Sequence, residues 1–581
     1  MRNPRIVTAR RMGALTLTVI VVVGAFFVRL VDIQVVRAAE LSEESADFRT
    51  QTATLWAKRG EIHDRTGQAL AHNADRYDVT ASPMHVADFR RDGDTVSVMT
   101  ALAEIEAITG TPVAHMWAAV SDDPESNFTY LSKEVTTEQY RALVDLDIPW
   151  MYFERNPERF YPFGEVAGNL TGIMGTDGPL EGIELKWDDC LRAEHGTLRY
   201  QRGADSVKLP GTMQVTRDAI DGGNAVLTID SDLQWFVLQQ LARHGGNLGA
   251  ASGSAMVVEV SSGDILAAAD WPTYDPNNFS DVPQSRLRAA GFSSSFEPGS
   301  TLKSLTLAAL IDQGLTYSEE RHQVPATYEI PGGRYIRNAG GAAAGQLTTA
   351  GILSHSSNTG TVELAQRIDL TTLYRYYQQF GLGSATGVGF LGEQDGYLPD
   401  PDEADSITRL TQTFGQGISS TTAQIAGAYQ ALANGGVRLP LRLVQGCDPV
   451  HDDFVEAPRA AGVPVVSEQT ADEVIRILET VPLTGTLQTR VDVPGYRVAA
   501  KTGTAEIAEN GEYGDERMIS IAGIVPADNP QYVVVVQFVK PQTNRFSYAA
   551  APAFDAIVTQ VVKHFRVEPS SPRGSLPPLN W

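Results

Sequence analysis

The chain has 581 residues, with 46 Lys and Arg against 70 Asp and Glu, a formal net charge of −24, and this excludes the basic footprint of an ordinary nucleic-acid binder. At roughly 100–200 residues per domain the length allows about three or four domains, and a hydrophobic share of 43% excludes a wholly disordered chain. Only two cysteines occur, Cys190 and Cys447; without a CxxC pair or a Cys/His cluster, neither a zinc site nor a redox motif has its ligands. They are read as structural bystanders or as one disulfide.

The N-terminus carries Arg2, Arg5, Arg10 and Arg11 and no acid, and 12–28 then runs without a charge, at the lower length limit of a membrane-spanning helix. Arg29 can snorkel while Leu30, Val31 and Ile33 extend the apolar face, so the predicted anchor is 12–33. By the positive-inside rule, 1–11 form a cytoplasmic tail and the rest of the chain lies outside, single-pass. A signal peptide cleaved near Val36-Arg37-Ala38 is the competing reading, but that site lies well beyond the apolar run, behind Arg29 and Asp32.

Residues 34–215 read as a mixed α+β region. The run 59–67 ends in a Thr66-Gly67 turn. A helix is predicted over Val98–Ile108, with Val98, Leu102, Ile105 and Ile108 on one side and Gly110 as its cap. Another begins at Thr136, which with Gln139 makes a capping-box spacing. Glu181 and Glu184 form a carboxylate pair without a companion site, so a surface or interdomain role is expected rather than catalysis. From Asp221-Gly222-Gly223 the texture changes. A strand over 225–229, an amphipathic helix over 233–241 and a hairpin of 255–260 with 265–269 lead into a helical middle, and strands return at 496–500, 519–525 and 532–539. Strands at both ends of a helical middle predict an α+β domain over 216–566, its sheet flanked by helices. The Pro- and Ser-rich 567–581 reads as a disordered tail.

Three short motifs carry chemistry. In Glu297-Pro298-Gly299-Ser300-Thr301-Leu302-Lys303, a turn opens a helix on which Ser300 and Lys303 are neighbours three residues apart. The amine can take the serine proton if burial or a nearby cation lowers its pKa. Of only eight lysines, Lys303 alone has a serine three positions before it. Ser356-Ser357-Asn358 is the only Ser-x-Asn and Lys501-Thr502-Gly503 the only Lys-Thr-Gly. Singly these are an exposed helical pair, a side-chain-capped turn and a strand-end turn; together, in this order, they are the S-x-x-K, S-x-N, K-T-G signature of penicillin-recognising enzymes.

On these motifs the chain resembles a class B penicillin-binding protein, a monofunctional peptidoglycan D,D-transpeptidase. The likeness extends to Arg59-Gly60-Glu61-Ile62-His63-Asp64-Arg65 with Leu180-Glu181-Gly182-Ile183-Glu184 in 34–215, which resembles the family's pedestal or dimerisation domain. It includes Leu227-Thr228-Ile229-Asp230, Pro272-Thr273-Tyr274-Asp275-Pro276-Asn277, Phe414-Gly415-Gln416-Gly417, Ala433-Asn434-Gly435-Gly436 and Ala551-Pro552. Arg29-Leu30-Val31-Asp32-Ile33-Gln34 is most like the septal, cell-division type, FtsI. The resemblance implies a serine β-lactamase-like catalytic domain in which Ser300 is the nucleophile on a stem-peptide D-alanine carbonyl and Lys303 its base. Ser356 would relay the proton, Lys501 would keep the local potential positive, and Asn358 would hold the peptide amide. Thr502 and Thr504, with Gly503 between them, would bind the terminal carboxylate, and the N–H groups of Ser300 and Thr504 would form the oxyanion hole.

The resemblance further implies no metal or organic cofactor, peptidoglycan stem peptides as substrate, β-lactam antibiotics as ligands, and a membrane polymerase of the FtsW (SEDS glycosyltransferase) type and other division proteins as partners. The region before the catalytic domain is too short for a glycosyltransferase domain, so crosslinking alone is expected. Three positions depart from the family pattern: Ala500 stands for glycine, Glu506 for glutamine, and Ser304 for proline or an aliphatic residue. Glu506 is expected to bring a negative charge to the site. Competing functions are an elongation-type transpeptidase, a carboxypeptidase, a β-lactamase and a non-catalytic divisome scaffold.

Overall fold

The computed structural model describes residues 4–41, 49–202, 209, 211–330, 334–338, 344–402, 405–450, 453–509 and 512–581. They form two compact units, Met1–Lys58 with Ala193–Gly222, and Arg59–Arg192 with Gly223–Trp581.

In the first unit, helix α1 (Pro4–Val31) leads the chain. Within Arg10–Val36 an 18-residue stretch has a mean hydropathy of 2.4 and none of that stretch is buried, long and apolar enough to cross a bilayer. The Thr16 and Thr18 hydroxyls donate back to the Met12 and Ala14 carbonyls, which removes two donors that hydrocarbon could not satisfy. The same unit holds a small antiparallel sheet of Thr50–Leu55, Gly196–Gln201 and Gln214–Arg217.

The second unit contains a subdomain with its own core. Strand Arg76–Ala81 lies between Thr129–Thr136 and Met151–Arg155, and Val79, Leu102, Ile105, Met116 and Trp150 meet beneath it. The helix Val98–Thr109 ends at Gly110 with φ +76°, a left-handed cap that glycine adopts without strain. Thr136 and Gln139 form the complete capping box.

The larger domain is built on five antiparallel strands, β1 (Ser252–Glu259), β2 (Ile265–Trp271), β3 (Ala499–Glu509), β4 (Glu512–Val525) and β5 (Tyr532–Val539), in the order β2-β1-β5-β4-β3. Successive side chains of a strand face opposite ways, and here both faces are covered. Val534, Val536 and Phe538 join the core that contains Leu233, Val237, Phe554 and Ile557, from helices α2 (Ser231–Leu248) and α7 (Ala551–His564). Val533 and Val535 join the core of the helical middle, where α3 (Lys303–Asp312), α4 (Thr349–Ser354), α5 (Asn358–Ala365) and α6 (Thr422–Ala433) lie. Double burial explains why β5 reads as an apolar run interrupted only by Gln537 rather than as an alternation.

The stretch 59–192 is sewn into this domain. Ile62–His63 runs parallel to Asn224–Leu227, which pairs with Val444–Asp448, within a six-stranded sheet. Cys190 and Cys447, 257 residues apart, form a disulfide. Glu181 and Glu184 are not at the surface: both are buried, Glu184 completely. Glu184 accepts from Nε of Arg59 (2.8 Å) and of Arg159 (2.7 Å) and from the Tyr161 hydroxyl (3.3 Å). Two guanidinium groups compensate its desolvation, which a carboxylate cannot bear alone.

The segment 567–581 is likewise not a disordered tail. Ser570 Oγ and Ser571 N donate to Asp528, Arg573 pairs with Glu479, and Arg476 donates to the Ser575 carbonyl. Its prolines prevent helix formation but not docking, because the docked form uses carbonyls and side chains of an extended chain.

Removing Glu184 strands the buried guanidinium group of Arg159, while Arg59 keeps Asp188 and the residue-184 carbonyl. Glu184→Ala is therefore expected to destabilise the second unit by about 3–5 kcal/mol, read as a lower midpoint in chemical unfolding.

Candidate active site

The nucleophile turn is a tight fit on two sides. Gly299 has φ +55°, and a Cβ there would lie 2.5 Å from the Thr504 carbonyl oxygen of β3. Its N–H donates to the Gly415 carbonyl (2.9 Å), and a Cβ on Gly415 would sit 2.1 Å from the Gly299 carbonyl oxygen. A Cβ on Gly503 would lie 2.9 Å from the Pro298 carbonyl. Only glycine permits such backbone approaches, so Pro298-Gly299-Ser300 is clamped between β3 and the 414–417 turn. Ser300 is half-buried in a short 3₁₀ turn, Gly299–Leu302, that feeds directly into α3.

Helix α3 is buried all round, from Lys303 to Ile311. This accounts for Ser304, which shares a hydrogen bond with the Tyr429 hydroxyl (3.0 Å), itself a donor to the Thr301 carbonyl (2.9 Å). A buried polar position with a partner costs little.

The second motif sits where two short helices meet. Beyond α4 and His355, Ser356 adopts φ +59°, a conformation non-glycine residues rarely take outside functional sites. The Ser357 hydroxyl then caps α5 by accepting from Gly360 N, which leaves Asn358 as the first residue of that helix.

These elements bring four of the expected residues into one hydrogen-bonded group. Lys303 Nζ donates to the Ser356 carbonyl (2.7 Å), Ser356 Oγ (3.2 Å) and Asn358 Oδ1 (2.6 Å). Lys501 Nζ donates to Ser356 Oγ (2.9 Å) and the Thr502 carbonyl (3.1 Å). None of these bonds goes to Ser300. Both lysines are buried. Burial, then the charge on Lys501, pushes the Lys303 amine well below the ordinary lysine range; burial alone lowers Lys501 to about 7. Near neutrality the pair thus contains a free base beside a proton-holding amine, joined through one hydroxyl.

Thr502 and Thr504 do not join this group. The Thr502 hydroxyl is buried and shares a bond with Thr486 Oγ1 (3.1 Å), and Thr504 meets the nucleophile turn through its backbone. His355 is half-buried and held towards its neutral form by burial alone, in keeping with packing. Glu506 lies opposite Arg517 on β4 and pairs with it at 3.0 Å, so its expected charge is offset. Ala500 is a buried residue of the core beneath α2 and α7.

Two neighbours lay outside the sequence reading. Glu297 Oε1 accepts from Gly417 N (2.8 Å) and the Tyr513 hydroxyl (2.7 Å), tying the nucleophile turn to the 414–417 turn and to β4. Thr486 is the partner of Thr502. Position one before Pro298 was the only local signal for the first; nothing in the sequence pointed to the second. Among the described residues, no group of three His, Cys, Asp or Glu side chains could hold a metal ion.

Residues 253–559 match the penicillin-binding protein transpeptidase domain and 54–179 the penicillin-binding protein dimerisation domain. The chain belongs to the class B penicillin-binding proteins. It is 34% identical, over its whole length and 93% of the relative, to the penicillin-binding protein PbpB of Mycolicibacterium smegmatis. It is 30% identical to the peptidoglycan D,D-transpeptidase FtsI of Escherichia coli, covering 94% of this chain and 90% of that one. Solved structures similar to it include a peptidoglycan synthetase from Bifidobacterium adolescentis (TM-score 0.73, 30% identity, 92% of this chain and 100% of that one). Penicillin-binding protein 3 of Mycobacterium tuberculosis in complex with aztreonam is another (TM-score 0.69, 29% identity, 91% and 100%).

With only eight lysines, the amines of this penicillin-binding protein can be followed individually by NMR of 13Cε-labelled lysine. Lys501 is expected to gain its proton as the pH falls through about 7 and Lys303 also far below the bulk, while surface lysines titrate near ~10.4. Two buried-motif lysines titrating with the surface set would contradict this electrostatic description.

Proposed function

We propose that this septal-type peptidoglycan D,D-transpeptidase works through an acyl-enzyme on Ser300, with Lys303, Ser356 and Lys501 as its proton path. The observation that carries the reading is the single Ser356 hydroxyl bonded to two buried amines beside the clamped Ser300 turn. In this reading the neutral Lys303 amine takes the Ser300 hydroxyl proton as Oγ bonds to the penultimate D-alanine carbonyl carbon of a stem peptide. The backbone N–H groups of Ser300 and Thr504 receive the oxyanion. As the carbonyl reforms, the C–N bond to the terminal D-alanine breaks, and the leaving nitrogen takes a proton through Ser356. Lys501 keeps that path positive. Thr502 and Thr504 bind the terminal carboxylate, which requires Thr502 to exchange its Thr486 partner for substrate, and Asn358 orients the peptide amide. An amine from a neighbouring stem peptide then attacks the ester, regenerating Ser300 and forming a 4-3 crosslink.

β-Lactams are ligands in this scheme because their strained amide presents the same carbonyl and carboxylate to Ser300. We also propose that the N-terminal arginines lie on the cytoplasmic side and the catalytic domain outside. The crosslinker would then work beside a membrane polymerase of the FtsW type, which α1 could reach in the bilayer through its unburied apolar surface.

Fluorescent penicillin is expected to label the wild type at Ser300 and leave Ser300→Ala unlabelled by intact mass. Lys303→Ala should slow acylation by about 10²–10⁴-fold, and a variant that labels at the wild-type rate would remove Lys303 from the base role.

The acylation rate should also be bell-shaped in pH. It rises as Lys303 loses its proton and falls above about 7 as Lys501 loses its own. A rate that climbs without a maximum to pH 10 would contradict a charged Lys501.

A further inference from the structure

Helix α4 has six residues, too few to hold a direction by itself, yet its C-terminal end delivers Ser356 and Asn358 to the lysine pair. Core partners hold one side of it, with Thr349 Oγ1 bonded to Thr316 (2.8 Å) and to His322 (2.8 Å), and the last residues of the chain hold another. Asn580 bridges Leu347 in antiparallel fashion, and the Leu579 carbonyl accepts from Thr348 N (3.0 Å). Thr348 caps α4 by accepting from Gly351 N, and its hydroxyl donates to the Pro578 carbonyl. The Leu579 carbonyl oxygen lies where it would be 1.9 Å from a Cβ on Gly351, so tail backbone rests directly on the first turn of the helix. Trp581 Nε1 donates to the His322 carbonyl (3.2 Å), and the Arg321 guanidinium lies over its ring.

At the other end of α4, a cavity of about 390 Å³ borders His355 and Thr484 and is walled by Leu576, Pro577 and Leu579. The last residue of the helix, Ser354, is buried against Gly485, where a Cβ would lie 2.7 Å from the Ser354 carbonyl oxygen, and the tail walls the space beyond it, at His355. The tail is itself moored upstream, through Arg573 to Glu479 and through Ser575 to Arg476.

We infer that residues 576–581 are a positioning strap for the second motif: they set the direction of α4 and so keep the Ser356 hydroxyl between Lys303 and Lys501. The inference rests on the role given to Ser356 above. None of the strap residues touches substrate. Their effect passes through α4, so the step they govern is the rate of acylation rather than the initial binding of drug or donor.

The test uses the full chain in detergent, with a specific protease site inserted at Gly574, where nothing lies within 4 Å of an added Cβ, so that the strap is severed only after folding. Fluorescent penicillin reports acylation before and after cleavage, alongside a chain ending at Ser575. Severing or removing the strap is expected to lower the limiting acylation rate at least tenfold, leave the half-saturating drug concentration near its starting value, and be reversed by a synthetic peptide of residues 576–581. Cleaved and truncated proteins that acylate at the intact rate would overturn the strap. So would a loss that the peptide does not restore. Ser356→Ala is run in parallel: if it acylates as fast as wild type, the role of Ser356 fails, whereas a slow Ser356→Ala beside a fast strapless chain removes the strap alone.

Discussion

Two buried lysine amines sharing one serine hydroxyl are the constraint on which the rest of the structure depends. Two ammonium groups so close and so buried repel strongly and lose their hydration, so both cannot carry a proton at neutral pH. The fold tolerates this cost because it is spread over rigid elements. Lys303 projects from a helix buried on every side, Lys501 from the edge strand β3 of a sheet covered on both faces, and Ser356 from a left-handed turn between two capped helices. Moving either lysine would relieve the repulsion that helps to hold the Lys303 amine below the ordinary lysine range.

Close backbone approach is the second half of the construction. The contacts of Gly299 with Thr504 and Gly415, and of Gly503 with Pro298, bring the nucleophile turn against β3 more closely than side chains would allow. Glu297 extends that clamp, since one carboxylate oxygen links the 414–417 turn to Tyr513 on β4. Burial raises its pKa, against its hydrogen bonds to Tyr513 and Gly417. The Ser300 turn is therefore held by the sheet and by a neighbouring loop at once, a preorganisation that acyl transfer requires before substrate arrives.

That Lys303, Ser356, Asn358 and Lys501 would meet was legible in the sequence because they lie in three short motifs, each occurring once, and scarce lysine made two of these stand out. Local signals were also legible: the Gly110 cap, the Thr136–Gln139 capping box and the hairpin of β1 and β2 follow from nearest-neighbour rules. Long-range partners were not. Arg59 and Arg159 around Glu184, Arg517 opposite Glu506 and Thr486 beside Thr502 are separated in sequence, and no periodicity reports them; the Cys190–Cys447 bond was one of two readings of the only two cysteines. The tail was misread because proline and serine content predicts that a segment will not become a helix, and says nothing about whether an extended segment finds carbonyls and carboxylates to dock on.

The central claim is that the four-residue group bonded through Ser356 performs amine-directed acyl transfer from Ser300. Its most direct test supplies the full-length protein with lipid-linked disaccharide pentapeptide and a membrane polymerase of the FtsW type, then quantifies muropeptides from wild type, Ser300→Ala and Ser356→Ala. The account predicts 4-3 crosslinked dimers from the wild type, none from Ser300→Ala, and a large deficit from Ser356→Ala. Crosslinked dimers at the wild-type yield from Ser300→Ala, or only trimmed, uncrosslinked tetrapeptides from the wild type, would contradict it.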